Sequence, residues 1–370
     1  MSRQFRPTAV EVDLDAIRHN VRALKPAGAE LMAVVKANGY GHGDVPVARA
    51  ALEAGATWLG VALVEEGLRL REAGIEAPTL VLSEFPPGSE KDALAGGLTP
   101  SLYTDAGRAA LAEATASVGR PVGVHVKVDT GMRRVGHGPE GLEEFVRAAV
   151  DAGLGFEGLW SHLAVSEEPS HPSVAGQLER FAAATEALAA EGLTPRIRHL
   201  ANTGAILGIP EAHLDLVRAG IGVYGYAPGP AVAGAVELRP AMRWTAEVAM
   251  VKRVAPGEPV SYGHRYAPKR ETTIATVGVG YADGYARRLT NVGQVLIRGR
   301  RHGVAGTVTM DQILVDVGDD AVEPGDEVVL LGRQGDEEIT ADELAERLGT
   351  ISYEVVCAIG QRVPRRHVGA

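Results

Sequence analysis

Cysteine is almost absent from this sequence, and so are long uncharged apolar runs. Cys357 is the only cysteine among 370 residues, so the chain cannot form an intrachain disulfide or a cysteine-based metal cage. No uncharged apolar stretch approaches the ~20 residues that a membrane helix requires. Residues 1–15 carry early charges and lack an apolar core, which argues against a secretory signal. These absences predict a cytoplasmic protein with no membrane partner and no metal site.

Positive charge and aromatic side chains are also scarce. The formal net charge is −10 at pH 7, which argues against nucleic acid and anionic membrane surfaces as partners. The main basic cluster, Arg298–His302, is typical of a solvated turn. Aromatic residues make up only 5% of the chain, whereas 45% is hydrophobic and 23% charged, as in ordinary soluble globular proteins. At 370 residues the chain is long enough for two domains.

Short apolar runs alternate with segments of helical periodicity between Leu31 and Tyr226. Eight strand–helix units within about 200 residues favour a parallel (β/α)8 barrel. An open doubly wound sheet is the competing architecture, but no Gly-x-Gly-x-x-Gly loop follows the first strand. The predicted strands are Leu31–Val35, Trp58–Leu63, Thr79–Leu82, Leu98–Tyr103, Val122–Val128, Phe156–Leu163, Arg196–Leu200 and Asp215–Ile221.

The pattern changes after Tyr226–Pro230, a breaker-rich stretch that is typical of a linker. From Met242 onward, apolar and polar residues alternate with a period of two. This alternation predicts a smaller domain of mostly antiparallel strands, with one helix near Ala341–Leu348. The early alternation Ala9–Asp13 fits that domain too. We therefore predict a barrel domain over residues 1–235, with residues 1–13 available for pairing with the β domain, and a β-rich domain over residues 236–370.

Polar side chains follow the predicted barrel strands, at the end where functional groups of such barrels lie. Buried charges must be paired or must shift their pKa, so seven such groups at one face are hard to explain as packing. They predict a polar, mainly cationic pocket suited to an anionic ligand such as a phosphate or a carboxylate. The seven are Lys36, Lys127, Asp129, His162, His199, Asn202 and Arg218.

The segment Val35–Gly43 places Lys36 directly after an apolar strand and before a glycine-rich loop that contains Tyr40. Desolvation lowers the pKa of a lysine and frees its amine, which suits Schiff-base chemistry with a phenol nearby. A lysine that forms a salt bridge before an ordinary glycine turn fits the same segment. The segment alone does not decide between the two interpretations.

Motifs along nearly the whole chain, from about Val10 to Arg365, resemble the alanine racemase family. Val34–Gly43 is similar to the family's pyridoxal-phosphate signature. Further matches occur in the family's order, at Lys127–Arg134, Ser161–His162, His199–Thr203, Val217–Ile221, Val260–Gly263, Gly280–Arg287, Met310–Gln312 and Ile351–Glu354. The resemblance implies a homodimeric isomerase that uses pyridoxal 5'-phosphate to interconvert L-alanine and D-alanine. It also implies a role in supplying D-alanine for peptidoglycan.

The resemblance makes Lys36 and Tyr262 the two catalytic bases. Lys36 would bind the cofactor covalently and serve one face of the substrate α-carbon, while Tyr262 would serve the other face from the partner subunit. A tyrosine pKa of about 10 is too high for a base at neutral pH. The cations His162 and Arg218, in a network with His199, would therefore have to lower it. Arg218 would face the cofactor's ring nitrogen and, because arginine only donates hydrogen bonds, would hold that nitrogen unprotonated.

The remaining roles follow from the same resemblance. Arg134 and the Met310 backbone N–H would bind the substrate carboxylate. Lys127 matches a lysine that is carbamylated in many members, and a plain lysine paired to Asp129 is the alternative. The resemblance gives cofactor contacts to Lys36, Tyr40, His162, Asn202, Thr203, Arg218, Gly220, Ile221 and Tyr353, and supporting or access-channel positions to His199, Asp311, Arg287 and Tyr281.

Two positions depart from the family pattern. Arg133 stands where glycine is usual, and Thr309 stands where cysteine or another small residue is common. Thr309 helps to shape the space for the substrate side chain, and one methyl or hydroxyl group changes discrimination by only ~1–3 kcal/mol. A broader serine/alanine or other amino-acid racemase is therefore the alternative. A basic amino-acid decarboxylase needs a carboxylate where Arg218 stands, and a non-catalytic cofactor carrier would leave the β domain without a purpose.

Overall fold

The computed structural model describes residues 5–119 and 121–369, which form two compact units. One unit comprises residues 15–240, and the other combines residues 5–14 with residues 241–369. Residues 1–4, which belong to the predicted N-terminal segment, lie outside the described residues. The strand β1 (Ala9–Asp13) belongs to the second unit, and the helix α1 (Leu14–Leu24) begins at the boundary. No helix in the described ranges combines the length and the hydropathy needed to cross a membrane.

Eight parallel strands form the sheet of the 15–240 unit, which confirms the predicted barrel. They are β2 (Glu30–Val34), β3 (Trp58–Val61), β4 (Thr79–Val81), β5 (Thr99–Leu102), β6 (Val122–Lys127), β7 (Leu154–Trp160), β8 (Ile197–His199) and β9 (Leu216–Ala219). The ladder runs in the order β8-β7-β6-β5-β4-β3-β2-β9. Backbone hydrogen bonds from Asp215 N to Arg198 O (3.1 Å) and from Arg218 N to Ala201 O (2.9 Å) join its two ends and nearly close the barrel.

Helices connect these strands in the alternating pattern that parallel strands require. The α-helices are α2 (Lys36–Tyr40), α3 (Asp44–Glu53), α4 (Val64–Glu72), α5 (Glu90–Ala95), α6 (Asp105–Val118), α7 (Leu142–Asp151), α8 (Pro172–Ala190) and α9 (Thr203–Gly208). Short 3-10 helices span Pro210–Ala212, Ile221–Tyr224 and Pro230–Val232. A fully buried apolar cluster drawn from five strands packs inside the unit, namely Met32, Trp58, Leu80, Ile197 and Leu216. Each such side chain contributes ~1.5–3 kcal/mol on burial.

The second unit is a mostly antiparallel sheet, which confirms the predicted β architecture. Its strands are β1, β10 (Met242–Val254), β11 (Thr272–Val277), β12 (Gln294–Ile297), β13 (Arg300–Val304), β14 (Ile313–Gly318), β15 (Glu327–Gln334), β16 (Glu337–Ile339) and β17 (Arg365–Val368). The order is β16-β15-β12-β13-β14-β11-β10-β1-β17, and β15 also pairs with β10, so six strands close on themselves. β1 pairs antiparallel with β10 and parallel with β17. The helices are α10 (Ala341–Leu348), α11 (Ser352–Cys357) and 3-10 turns at Tyr262–His264, Tyr281–Asp283 and Arg287–Leu289.

The interpretation of Arg298–His302 as a solvated turn was wrong for most of its length. Only Arg298 and Gly299, with φ of 51° and 73°, form a turn, and β13 begins at Arg300. The arginines of this segment pair with acids: Arg300 NH1 lies 2.7 Å from Asp320 Oδ1, and Arg301 bridges two glutamates. The segment is therefore half of a β-hairpin whose charge is neutralised locally.

Candidate functional site

Lys36 begins an unusual turn directly after strand β2. Ala37, Asn38, Gly39 and Tyr40 have φ between 49° and 59°, so the chain makes a left-handed helical turn. Left-handed backbone costs roughly 1–2 kcal/mol for each residue other than glycine. The buried Glu66 carboxylate helps to hold the turn, because it accepts hydrogen bonds from Ala37 N (2.6 Å), Ala62 N (2.8 Å) and Leu63 N (3.2 Å).

The left-handed turn brings Tyr40 to a cluster of hydrogen-bonding groups at the end of β9. A Cβ atom on Gly220 would lie 2.9 Å from Tyr40 Oη and 3.9 Å from Thr203 Oγ1, so three predicted cofactor residues meet at one point. Thr203 Oγ1 accepts a hydrogen bond from Gly220 N at 2.9 Å. The fourth, Ile221, begins the 3-10 helix that follows Gly220. This cradle of neutral donors has the composition that suits a phosphate.

Arg218 is buried at the end of β9 and donates to two other strand ends. NH1 binds His199 Nδ1 and His199 O, each at 3.0 Å. NH2 contacts Ser161 O (2.8 Å), Leu200 O (3.0 Å) and His162 Nδ1 (3.2 Å). Within the described residues, all five bonds involve NH1 or NH2, which leaves the Nε–H available to a ligand. Burial lowers the pKa of Arg218 to about 9, so it stays a cation near neutral pH.

The neighbouring histidines are desolvated and lie close to the charge of Arg218. Burial, followed by the charge of Arg218, holds the pKa of both His162 and His199 well below the ordinary value. A pKa lowered in this way favours the neutral His162 ring, which leaves Arg218 as the cation of this network. Asn202 lies beside it, with Nδ2 3.5 Å from His162 Nε2, and its Oδ1 caps helix α9 by accepting from Ala205 N.

Lys127 is buried at the end of β6, with Nζ 4.3 Å from the centre of the Trp160 ring. Burial is the largest cause that lowers its pKa to about 7, and the charges of Arg218 and Arg134 lower it further. The alternative partner, Asp129, instead accepts from Gly131 N and Arg133 N at 2.9 and 3.1 Å and so stabilises the following loop. Among the described residues, Lys127 makes no ion pair.

Arg134 and Arg133 are both exposed in the loop after Lys127. Arg133 has φ of 56°, in the left-handed region that favours glycine. The usual family glycine at this position thus has a conformational reason, and the arginine that replaces it carries backbone strain.

The β unit collects a second group of predicted residues around an open depression of about 990 Å³. Tyr262, Tyr281, Arg287, Met310 and Asp311 all line it. The side chains of Tyr262 and Met310 are 76% and 52% exposed, which is unusual for large residues of low polarity. Tyr353, the remaining prediction, lies on α11 and is half-buried. The predicted site residues thus form one group on each unit.

Tyr262 is held by a strained loop. Ser261 has φ of 63° and ψ of 177°, a conformation that is essentially restricted to glycine. Ser261 Oγ donates to Thr307 O at 2.8 Å, and Thr307 Oγ1 donates to Tyr262 O at 2.7 Å. Non-glycine strain of this kind costs of order 1–3 kcal/mol and persists where the surroundings fix the backbone. The loop therefore holds an exposed phenol in a fixed position.

Sequence reasoning missed three residues that shape the barrel site. Glu66 was not predicted as a site residue, because its position in the first turn of α4 is also that of an ordinary capping residue. Tyr224 is fully buried, stacks on Tyr40 with ring centres 4.8 Å apart, and donates to Val34 O at 3.0 Å. Trp160 lies under both Lys127 and Arg218. A tyrosine and a tryptophan in apolar runs carry no signal that separates them from ordinary core residues.

The chain is similar along its length to known proteins of one family. Residues 12–228 match the family model "Alanine racemase, N-terminal domain" and residues 241–367 match "Alanine racemase, C-terminal domain". An alanine racemase of Symbiobacterium thermophilum is 53% identical, over 99% of this chain and 98% of that protein. The crystal structure of alanine racemase from Streptomyces lavendulae superposes with a TM-score of 0.95 at 42% identity, over 100% and 98% of the two chains. A histidine racemase of Leuconostoc mesenteroides gives a TM-score of 0.91 at 30% identity, with 99% of each chain covered.

Proposed function

The chain belongs to the alanine racemase family, and from this membership we propose how its residues carry out the reaction. The protein is an isomerase that binds pyridoxal 5'-phosphate and interconverts L-alanine and D-alanine. We propose that it supplies D-alanine for peptidoglycan in the cytoplasm, a reducing compartment that suits its single cysteine. The observation that carries the mechanism is the buried, donor-only guanidinium of Arg218 on β9, the strand next to the one that Lys36 follows, together with a cradle of neutral donors.

The residues of the barrel unit fit the cofactor. Lys36 supplies the amine for covalent attachment, and Tyr40, Thr203, Gly220 and Ile221 supply donors for the phosphate. Tyr353 of the β unit and the polar side chains of His162 and Asn202 complete the proposed cofactor contacts. When bound, the cofactor withdraws electrons from the substrate α-carbon and so acidifies its proton.

We assign the two proton transfers to Lys36 and Tyr262. A planar α-carbon can regain its proton on either face, so racemisation is most direct when each face has its own base. The Lys36 amine takes or returns the proton on one face, and the Tyr262 phenolate or phenol does so on the other. Arg134 orients the substrate through its carboxylate, assisted by the Met310 N–H. Asp311, Arg287 and Tyr281 shape the approach to the site.

Arg218 is proposed to face the cofactor's ring nitrogen through its Nε–H. An arginine with a pKa of about 9 keeps its proton near neutral pH and therefore holds that nitrogen without protonating it. A ring nitrogen held unprotonated would withdraw electrons less strongly, which would favour return of the proton over side reactions. A decarboxylase needs a carboxylate at this position, so Arg218 argues against that activity.

We further propose a homodimer with shared active sites. The support is the exposed Tyr262 and Met310 on the β-unit depression, because a rigid loop that presents apolar surface to solvent is suited to a partner. In this arrangement the depression of one subunit completes the barrel site of the other. The strain at Ser261 then serves to fix the position of Tyr262 before the subunits meet.

Deuterium incorporation tests the reaction itself. The purified protein is incubated with pyridoxal phosphate and L-alanine in deuterated water, and the products are separated by chiral chromatography and mass spectrometry. We expect D-alanine with deuterium on the α-carbon. Release of carbon dioxide, or cofactor binding without exchange, would contradict the proposal.

Mixed dimers test the sharing of sites. Chains carrying Lys36→Ala and chains carrying Tyr262→Phe are co-expressed with different tags, and the heterodimer is purified. If Tyr262 acts across the interface, one site of the heterodimer has both bases and about half of the wild-type activity returns. Restoration of no activity would place both bases in the same chain, and the matched homodimers of each variant serve as controls.

Substrate range is the second question for the same assay, because the histidine racemase relative has the same fold. Thr309 Oγ1 donates to Gln312 O at 2.7 Å and accepts from Gln312 N at 3.3 Å, so its hydroxyl is used within the loop. We therefore expect L-alanine to be the best substrate. A serine or histidine rate that equals the alanine rate would favour the broader racemase.

A further inference from the structure

A buried row of polar side chains runs through the barrel behind Arg218. His199 Nδ1 is 3.0 Å from Arg218 NH1, and His199 Nε2 is 2.8 Å from His125 Nδ1. His125 Nε2 lies 4.0 Å from Glu157 Oε2, and Arg196 NH2 holds the other oxygen of that carboxylate at 2.8 Å. Both histidines have no exposed surface. The row links the pocket to a surface ion pair.

The direction of each hydrogen bond in this row follows from its first member. A guanidinium only donates, so His199 Nδ1 must accept and the His199 proton must lie on Nε2. That N–H donates to His125 Nδ1, and the His125 proton must then lie on Nε2, towards Glu157. Burial lowers the pKa of His125 to about 3 and that of His199 well below the ordinary value, so each ring carries one proton. The Arg218 guanidinium thus fixes the tautomers of both His199 and His125.

The barrel is built to hold the His125 ring in this orientation. Gly158 lies opposite His125 in the β6–β7 register, and a Cβ atom there would lie only 2.5 Å from the ring's Cγ and Nδ1. Trp58 packs against the same ring with centres 5.2 Å apart. Trp160 stacks on His199 at 5.5 Å with 6° between the planes. Neither ring can rotate without displacing a large neighbour.

We propose that His125 is a positioning residue that accepts the His199 Nε2–H and thereby holds the His199 ring, and through it the Arg218 guanidinium, in place. The inference rests on the proposed function only where it concerns activity, since the tautomers belong to the protein alone. Without an acceptor at His125 Nδ1, the buried His199 N–H has no partner. A buried donor without a partner is costly, so the His199 ring shifts towards another acceptor and its Nδ1 no longer holds the Arg218 guanidinium in place.

Histidine tautomers can be measured directly by long-range proton–nitrogen NMR on 15N-labelled protein, with and without pyridoxal phosphate. We expect both His125 and His199 to be neutral and protonated on Nε2 between pH 6 and pH 8. A His199 proton on Nδ1, or a charged ring at either position, would overturn the proposal. This measurement needs no variant and no activity, so it stays decisive even if the protein racemises no alanine.

Two substitutions then separate positioning from packing. His125→Leu removes the acceptor, and we expect shifted His199 ring nitrogen resonances, weaker cofactor binding by the apoprotein and a kcat/KM lower by about 10- to 100-fold, as a lost buried hydrogen bond implies. His125→Asn returns an acceptor near Nδ1 and should restore the His199 resonances and most of the activity. If His125→Leu does not fold, the spectra of His125→Asn and of the wild-type protein still test the proposed role of His125.

Ser101→Ala is the matched control. Ser101 is fully buried, lies opposite His125 in the β5–β6 register, and donates to Val81 O at 2.7 Å without contacting His199. We expect this variant to leave the His199 resonances and cofactor affinity unchanged. Equal effects of the Ser101 and His125→Leu substitutions, or no recovery with asparagine, would show that His125 acts only through packing.

Discussion

Lys127 is expected to carry a carbamate at neutral pH, because its burial in the barrel makes a large fraction of its amine neutral. With its pKa lowered from 10.5 to about 7, about half of the Lys127 side chains are neutral at pH 7, against roughly one in 3,000 for an ordinary lysine. Carbon dioxide reacts only with the neutral amine: a nitrogen–carbon bond forms and one proton is released. The reactive fraction thus rises by about three orders of magnitude.

The surroundings of Lys127 also favour the product. The pKa shift corresponds to roughly 5 kcal/mol against the ammonium form. The Trp160 face, 4.3 Å from Nζ, favours the cation by only ~0.5–2 kcal/mol, so burial and the charges of Arg218 and Arg134 outweigh it. Those two arginines repel an ammonium group but attract a carbamate. An anion here would also orient Arg134 for the substrate carboxylate.

Carbon-13 NMR with labelled bicarbonate measures this modification. The carbamate signal should be weak at pH 6, because protonation of Lys127 below its pKa removes the neutral amine, and it should increase through pH 7 to 8. Lys127→Arg keeps the charge but cannot form the product, and its spectrum should lack the signal. Absence of a protein-bound signal at pH 8, together with a Lys127 titration near pH 10, would refute the reasoning.

Three further substitutions test other parts of the molecule. Gly158→Ala pushes a methyl group into the His125 ring and should lower the free energy of unfolding by ~1–3 kcal/mol in urea titrations; an unchanged midpoint would mean that the ring can move. Arg133→Gly relieves a left-handed backbone and should raise stability by ~1 kcal/mol with little change in kcat, whereas a loss of activity would give the arginine a role. Asp283→Asn weakens the turn whose N–H groups bind Thr309 O and Met310 O, so KM for alanine should rise about tenfold with a smaller change in kcat.

The sequence determined the architecture to within a few residues at most elements. Buried parallel strands appear in a sequence as continuous apolar runs, and all eight were located, as was the helix Ala341–Leu348. The strand β13 was interpreted as a turn because it is short and polar: its Arg301 pairs with Glu337 on β16, a contact that a local pattern does not contain. The left-handed turn after Lys36 was missed because Ala37, Asn38 and Tyr40 normally avoid that conformation.

For the candidate site, too, the sequence determined one part and the tertiary structure the other. The motifs identified the site residues, because their spacing along the chain and their chemical type are properties of the sequence itself. Only the tertiary structure decided their charge states: the neutral His162, the lowered pKa of Lys127 and the single tautomer of His199 all depend on burial and on Arg218 from a different strand. Ionisation is set by desolvation and by charges a few ångströms away in space, and those neighbours are brought together only by the fold.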